Sequence, residues 1–215
     1  YGDGLVEIAV GDELGAGLIK NSGDINAYGG QVKLAASVAK NAVDSVINTT
    51  GMINVSSAEV KGGKIILSGG DSGKVRVAGN VRSNGNGGQD AGTIEISGEN
   101  VKITSSGDVR ARSTFGGTAT AGDITLAADK KLTVNGAVSA YGLDDTGNVY
   151  IRRTELGSIG VGAGAGDIQL TQAELERIDA GSLTIGGNNT TLINLNGADS
   201  TSSTITGTVL LEAAG

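Results

Sequence analysis

The sequence predicts an all-β fold: a right-handed parallel β-helix with three strands per coil, running as one solenoid over residues 1–215. Three observations carry that reading. A Gly-x-apolar-x-apolar cadence recurs at intervals between 25 residues (Gly122 to Gly147) and 34 residues (Gly147 to Gly181), the spacing of a stacked repeat. Within each unit apolar and polar residues alternate, which is the period of a strand and not of a helix. Proline is absent while glycine numbers 38 of 215, as suits sheets with a neighbour above and below, where proline would delete a ladder donor.

The cadence occupies residues 4–8, 30–34, 63–67, 92–96, 122–126, 147–151, 181–185 and 207–211. Two further short strands are expected inside each unit. In the first unit they are 18–20 and 25–27, and in the third 75–77 and 81–83. The fourth supplies 101–103 and 109–111, the fifth 132–134 and 138–140. Gly, Asn, Asp and Ser lie between them, the residues that turn a chain sharply; glycine is expected to supply positive backbone angles at these corners. Three strands and three turns describe a triangular coil.

Stacking such coils about 4.8 Å apart puts Ile65, Ile94 and Ile124 in one inward column and Leu67, Ile96 and Leu126 in another. Ile66, Glu95 and Thr125 then point outward, because strand side chains alternate. About seven to eight coils would make a rod on the order of 35 Å long. An antiparallel barrel or sandwich would need hairpin turns in place of a stacking period. One segment departs from the pattern. Thr171 and Glu174 have capping-box spacing, Leu175 and Ile178 are apolar, and Gly181 is a stop signal, so a two-turn helix is expected over 172–179 at a corner.

Composition narrows the function classes. There is no Cys and no His, which excludes disulfides, Cys/His zinc or haem sites and a Ser-His-Asp triad; no cofactor is expected. The net charge of −7 argues against a general affinity for nucleic acid. No apolar run reaches membrane-spanning length. The chain opens without a signal peptide and reads as an interior or processed segment. Since 207–211 starts another coil and neither terminus reads as a polar cap, more β-helix beyond the segment, or end-to-end self-association, is expected.

Residues 23–34 (Gly-Asp-Ile-Asn-Ala-Tyr-Gly-Gly-Gln-Val-Lys-Leu), 51–55 and 62–69 resemble the large bacterial exoproteins of the filamentous haemagglutinin type. So do 122–128, 132–136 and the stretch Gln-Ala-Glu-Leu-Glu-Arg-Ile-Asp-Ala-Gly-Ser-Leu-Thr-Ile-Gly at 172–186. The resemblance implies a secreted or surface-exposed β-helical shaft of a Gram-negative-type bacterium, exported through an outer-membrane secretion partner. It further implies an adhesin, biofilm scaffold or toxin-carrying stalk, with a surface glycan or a protein as receptor. The Asn-Pro motifs of that family's secretion domain have no counterpart in a chain without proline, so the resemblance points to shaft and not secretion signal.

Candidate chemistry is sparse. A polysaccharide-processing enzyme would need clustered carboxylates on one outer face, and here the acids are scattered. Asp123 opens a coil, Asp108 precedes a third strand, and the adjacent pair Asp144 and Asp145 falls in an expected turn; no catalytic residue is assigned. The Gly-rich runs 69–73 and 85–92 echo calcium-binding nonapeptides without repeating. They read as corners, and no metal site is assigned. They do not precede a helix either, so they make no phosphate cradle.

Basic residues do stack. Arg76 and Lys102 take the same outward position of the second strand in successive coils, and Arg82 and Arg110 that of the third. Like charges so placed repel unless solvent, acids or a ligand relieve them. The four form a candidate anionic-glycan stripe, against the reading of a solvated face balanced by Glu95, Glu99 and Asp108. Tyr28 and Tyr141 recur at one coil position, which favours packing over a carbohydrate-stacking role.

Overall fold

The computed structural model describes residues 5–10, 19–36, 47–57, 62–113, 118–142, 147–199 and 204–214. Walking the chain coil by coil, the first supplies β1 (Leu5–Val10), β2 (Ile19–Asn21) and β3 (Asp24–Asn26). Next come β4 (Gln31–Ala36), β5 (Ile47–Thr49) and β6 (Met52–Asn54), then β7 (Lys64–Ser68), β8 (Lys74–Val77) and β9 (Asn80–Arg82). The fourth and fifth coils each merge two sides into one bent strand, β10 (Thr93–Ile103) with β11 (Asp108–Arg110), and β12 (Ile124–Val134) with β13 (Ala137–Ala140). The sixth holds β14 (Asn148–Arg153), β15 (Gly157–Gly162), β16 (Ile168–Leu170), α1 (Gln172–Leu175) and β17 (Ile178–Ala180). The last holds β18 (Ser182–Gly187), β19 (Thr190–Asn196) and β20 (Thr204–Ile205), and β21 (Val209–Ala213) follows it.

Every pairing among these strands is parallel, as a β-helix requires. The first face stacks eight strands in the order β1-β4-β7-β10-β12-β14-β18-β21, and the third stacks β3-β6-β9-β11-β13-β17-β20. The second runs β2-β5-β8 into the distal halves of β10 and β12. Its bend at the corner of β10 shifts register between Gly98 and Asn100. Six of the eight first-face strands have a neighbour on both sides, so the enclosed stack amounts to about six turns. That is slightly fewer than the marker count predicts, because among the described strands β1 and β21 each have one first-face neighbour. Their inward residues stay in solvent: Ile8 is 42% exposed, Val209 52% and Leu211 40%.

The inward columns are those expected. One runs Val6, Val32, Ile65, Ile94, Ile124, Val149, Leu183, Val209; its companion runs Ile8, Leu34, Leu67, Ile96, Leu126, Ile151, Ile185, Leu211. The four aliphatics Ile65, Ile94, Ile124 and Val149 have no exposed surface, and full burial of such a side chain stabilises by about 1.5–3 kcal/mol. Valine, isoleucine and leucine therefore fill the narrow interior that aromatics would overfill.

The marker glycines have a different cause from the one expected. Gly63, Gly92 and Gly122 do not take positive φ; a Cβ on any of them would collide with the carbonyl oxygen of Gly30, Gly63 and Gly92 respectively. Coils approach too closely at this corner for a side chain. One marker, Gly147, does take positive φ (111°), and corner glycines outside the cadence, such as Gly29 (70°), take it as expected.

The sixth coil corrects two expectations. The helix is a single turn, Gln172–Leu175, and not eight residues, because Ile178 is drawn into β17 against Val138 of β13. An extra strand was also missed. β15 pairs with β16 on one side and β19 on the other, forming a separate three-stranded sheet. β16 lies alongside the distal half of β12 without backbone pairing to it, so the second-face ladder is interrupted there.

Candidate ligand-contact face

Strand alternation fixes where each predicted cation points. Arg76 sits opposite Lys102 across β8 and β10, and Arg82 opposite Arg110 across β9 and β11. The registers are those expected, but the two pairs stand on different faces and do not make one stripe. Their electrostatics differ as well.

On the third face, Asp108 lies between the two arginines. Its carboxylate accepts from Arg110 Nε at 2.6 Å and stands 3.5 Å from Arg82 Nη2. Further along, Arg112 donates to Asp179 at 2.5 Å and to Ser139 Oγ at 2.5 Å. One carboxylate thus offsets part of the repulsion between the two guanidinium groups of Arg82 and Arg110. Of the acids expected to balance the cations, only Asp108 does so; Glu95 pairs with Lys64 at 2.7 Å and Glu99 with Lys130. The bond and the charge of Glu99 hold the Lys130 ammonium above its ordinary value.

The second face is different. Lys74, Arg76, Lys102 and Lys131 line a groove of about 550 Å³ together with Asn100, Thr133 and Asn135; among the described residues no acid lines it, and Lys74 is already engaged by a partner. The registers Lys74↔Asn100↔Lys131 and Asn48↔Arg76↔Lys102↔Thr133 make two adjacent outward rows. Arg76 donates to Asn48 Oδ1 at 3.1 Å, a neutral partner. Among the described residues neither Lys102 nor Lys131 has a bonded partner. Lys74 and Lys131 escaped the sequence reading although a signal existed: each lies two positions before an outward residue, hence on the same side.

The groove continues into the interruption of the ladder. A second depression of about 530 Å³ between β12 and β16 shares Lys131, Thr133 and Asn135 and adds Lys130, Arg177, Asp167 and Glu174. Both carboxylates are engaged. Glu174 is buried, accepting from Val134 N–H at 2.9 Å through Oε1 and from Thr171 N–H at 2.9 Å and Thr171 Oγ at 2.8 Å through Oε2. Thus the helix-start carboxylate stands in for the missing backbone neighbour of β12. Asp167 accepts from Ser158 N–H at 2.7 Å and Ser158 Oγ at 2.8 Å, and those bonds hold its carboxyl below the ordinary value.

Other candidates fare less well. Tyr28 is 69% exposed, against the packing role expected of it, because its turn carries the ring away from the rod; Tyr141 is half-buried. Asp144 and Asp145 lie outside the described residues. Among the described residues no group of three or more acidic side chains is arranged to hold a metal ion. Comparison with family models, with curated proteins and with solved structures finds no match to this chain.

Proposed function

We propose that this chain is a structural shaft segment of an extracellular bacterial adhesin or biofilm-matrix exoprotein, acting in cell-surface or cell–cell attachment. The observation that carries the reading is the uninterrupted first-face ladder, eight parallel strands long, over paired aliphatic columns. A stack in which each coil contacts only its neighbours gains length by adding coils, and its outer surface is left free to vary. The resemblance of residues 23–34 and 172–186 to filamentous haemagglutinin-type exoproteins supports the extracellular setting. Export through an outer-membrane partner belongs to the same proposal. Deleting the segment from the producing bacterium should remove it from the cell surface and lower attachment several-fold. Antibody labelling confined to the cell interior, or unchanged attachment, would refute the shaft reading.

A second reading is favoured by a specific observation: end-to-end assembly into a filament. The last coil opens into an apolar hollow of about 400 Å³ lined by Leu175, Leu183, Ile185, Leu195, Val209 and Leu211. It presents the kind of cross-section that each inner coil covers with its neighbour. Fibres that grow with concentration in light scattering and negative-stain microscopy would support this reading, and a monodisperse monomer at high concentration would remove it.

A further inference from the structure

We propose that Asn196 is a site of spontaneous deamidation, its side-chain amide converted through a succinimide to aspartate or isoaspartate. The inference rests on the end of β19 alone and is independent of the shaft reading. The chain holds four Asn-Gly pairs, at 84–85, 86–87, 135–136 and 196–197. In such a pair the glycine nitrogen, unshielded by a Cβ, attacks the asparagine Cγ. The N–Cγ bond forms as the Cγ–Nδ2 bond breaks, and the proton of the attacking nitrogen leaves with the amide as ammonia. Water then opens the imide ring at either carbonyl, giving aspartate or isoaspartate.

The fold shields the other pairs. Gly85 N–H already donates to the Arg112 carbonyl at 2.9 Å, and Asn84 Oδ1 accepts from Arg112 N–H at 2.9 Å. Asn86 is half-buried and engaged, its N–H on the Ser57 carbonyl and its own carbonyl accepting from Gln89 N–H across a turn. Asn135 is exposed, but Gly136 is buried against the coil before, where a Cβ would stand 2.2 Å from Gly107 O and 2.3 Å from Thr104 O. Ring closure there has to swing backbone into a neighbouring coil.

Asn196 has none of these restraints. It and Gly197 are both exposed, and nothing lies within 4 Å of a Cβ built on Gly197, whose φ is 62°. The Asn196 carbonyl accepts from Ala163 N–H at 2.6 Å, on the β15 side. A trans peptide turns the Gly197 N–H the opposite way, toward the edge of β19 that no described strand pairs. Among the described residues neither that N–H nor the Asn196 side chain has a hydrogen-bond partner. The bond from Ala163 is the last of the ladder, and local opening costs least at such an end. The product puts a carboxylate into the segment that supplies Leu195, Ala198 and Asp199 to the terminal hollow. Isoaspartate also adds a methylene to the backbone where Asn196 pairs with Gly162.

The test ages the full 215-residue chain in mildly alkaline buffer and follows all four pairs by peptide mass mapping, with isoaspartyl methyltransferase as the probe for isoaspartate. Asn196 should convert several-fold faster than Asn84, Asn86 and Asn135, faster still as pH rises, with equimolar release of ammonia. In denaturant the rates should draw together, because the selectivity belongs to the fold. Hydrogen exchange at the Ala163 amide should quicken in the isoaspartate-bearing fraction. Equal rates in the folded chain, faster loss at Asn135, an unchanged Asn196, or the same selectivity in denaturant would overturn the proposal.

Discussion

The glycine of each repeat is a packing requirement before it is a turn requirement. At Gly92 a methyl group would meet the carbonyl oxygens of Gly62 and Gly63 and the Ser83 hydroxyl, itself bonded to Gly63 O at 2.5 Å. Backbone on two sides cannot yield as a flexible side chain could. Gly92→Ala should therefore destabilise by about 1–3 kcal/mol, read as a lower denaturant midpoint, whereas Gly88→Ala, where nothing crowds the position, should cost only the strain of its positive φ. The inward columns were legible in the sequence because alternation is local: Ile94 and Ile96 face in whatever lies above them. The reason for Gly92 was not legible, since the backbone carbonyls it would strike belong to Gly62 and Gly63 in the coil before. Nor does spacing alone show that Asp108 faces both Arg82 and Arg110 while Arg76 donates to the neutral Asn48. That difference depends on which side of each corner an acid falls.

Among the elements, the insertion between β15 and β17 decides where the second-face ladder ends. The 34-residue interval announced an insertion, and the spacing of Thr171 and Glu174 announced a helix start. The extra strand was hard to place because Gly157-Ser-Ile-Gly-Val161 and Gly166-Asp-Ile-Gln-Leu170 both carry the marker cadence themselves, at spacings too short for a full coil. Glu174 joins two roles there, bonding Thr171 at the helix start and Val134 at the end of β12. Glu174→Ala should leave the buried Val134 N–H without an acceptor and destabilise by about 1–3 kcal/mol, with faster hydrogen exchange at the Val134 amide as its local signature. Arg153 steadies the opposite corner, its buried guanidinium reaching Asp129 at 3.1 Å and the Glu155 and Leu156 carbonyls. Asp167 makes the insertion acid-sensitive. Its folded carboxyl lies below the ordinary value of 3.8, so the unfolded form binds protons first as pH falls. The stabilisation is fully present above pH 3.8 and is lost below it, through the lower folded value. Protease cleavage near 158–167 should rise over that acid range, and Asp167→Asn should remove the pH dependence along with part of the protection.

For the molecule as a whole, length follows from register. Each coil repeats the hydrogen bonds and aliphatic contacts of the last, so the core runs as a column along the stack, widened by the insertion in the sixth coil, while the side walls differ in charge. One wall pairs its arginines with Asp108 and another carries a cationic groove. Both the attachment and the assembly readings presuppose this stack. Because the chain has no native cysteine, paired cysteines measure it directly. Glu95 and Thr125 are outward partners in adjacent coils, and Tyr150 is the next in the same row. With strands about 4.8 Å apart, Glu95→Cys with Thr125→Cys falls within disulfide reach, whereas Glu95→Cys with Tyr150→Cys, about 10 Å apart, does not. Mild oxidation should close the first pair within the monomer and leave the second reduced; closure of the second pair, or failure of the first in folded protein, would contradict the stack.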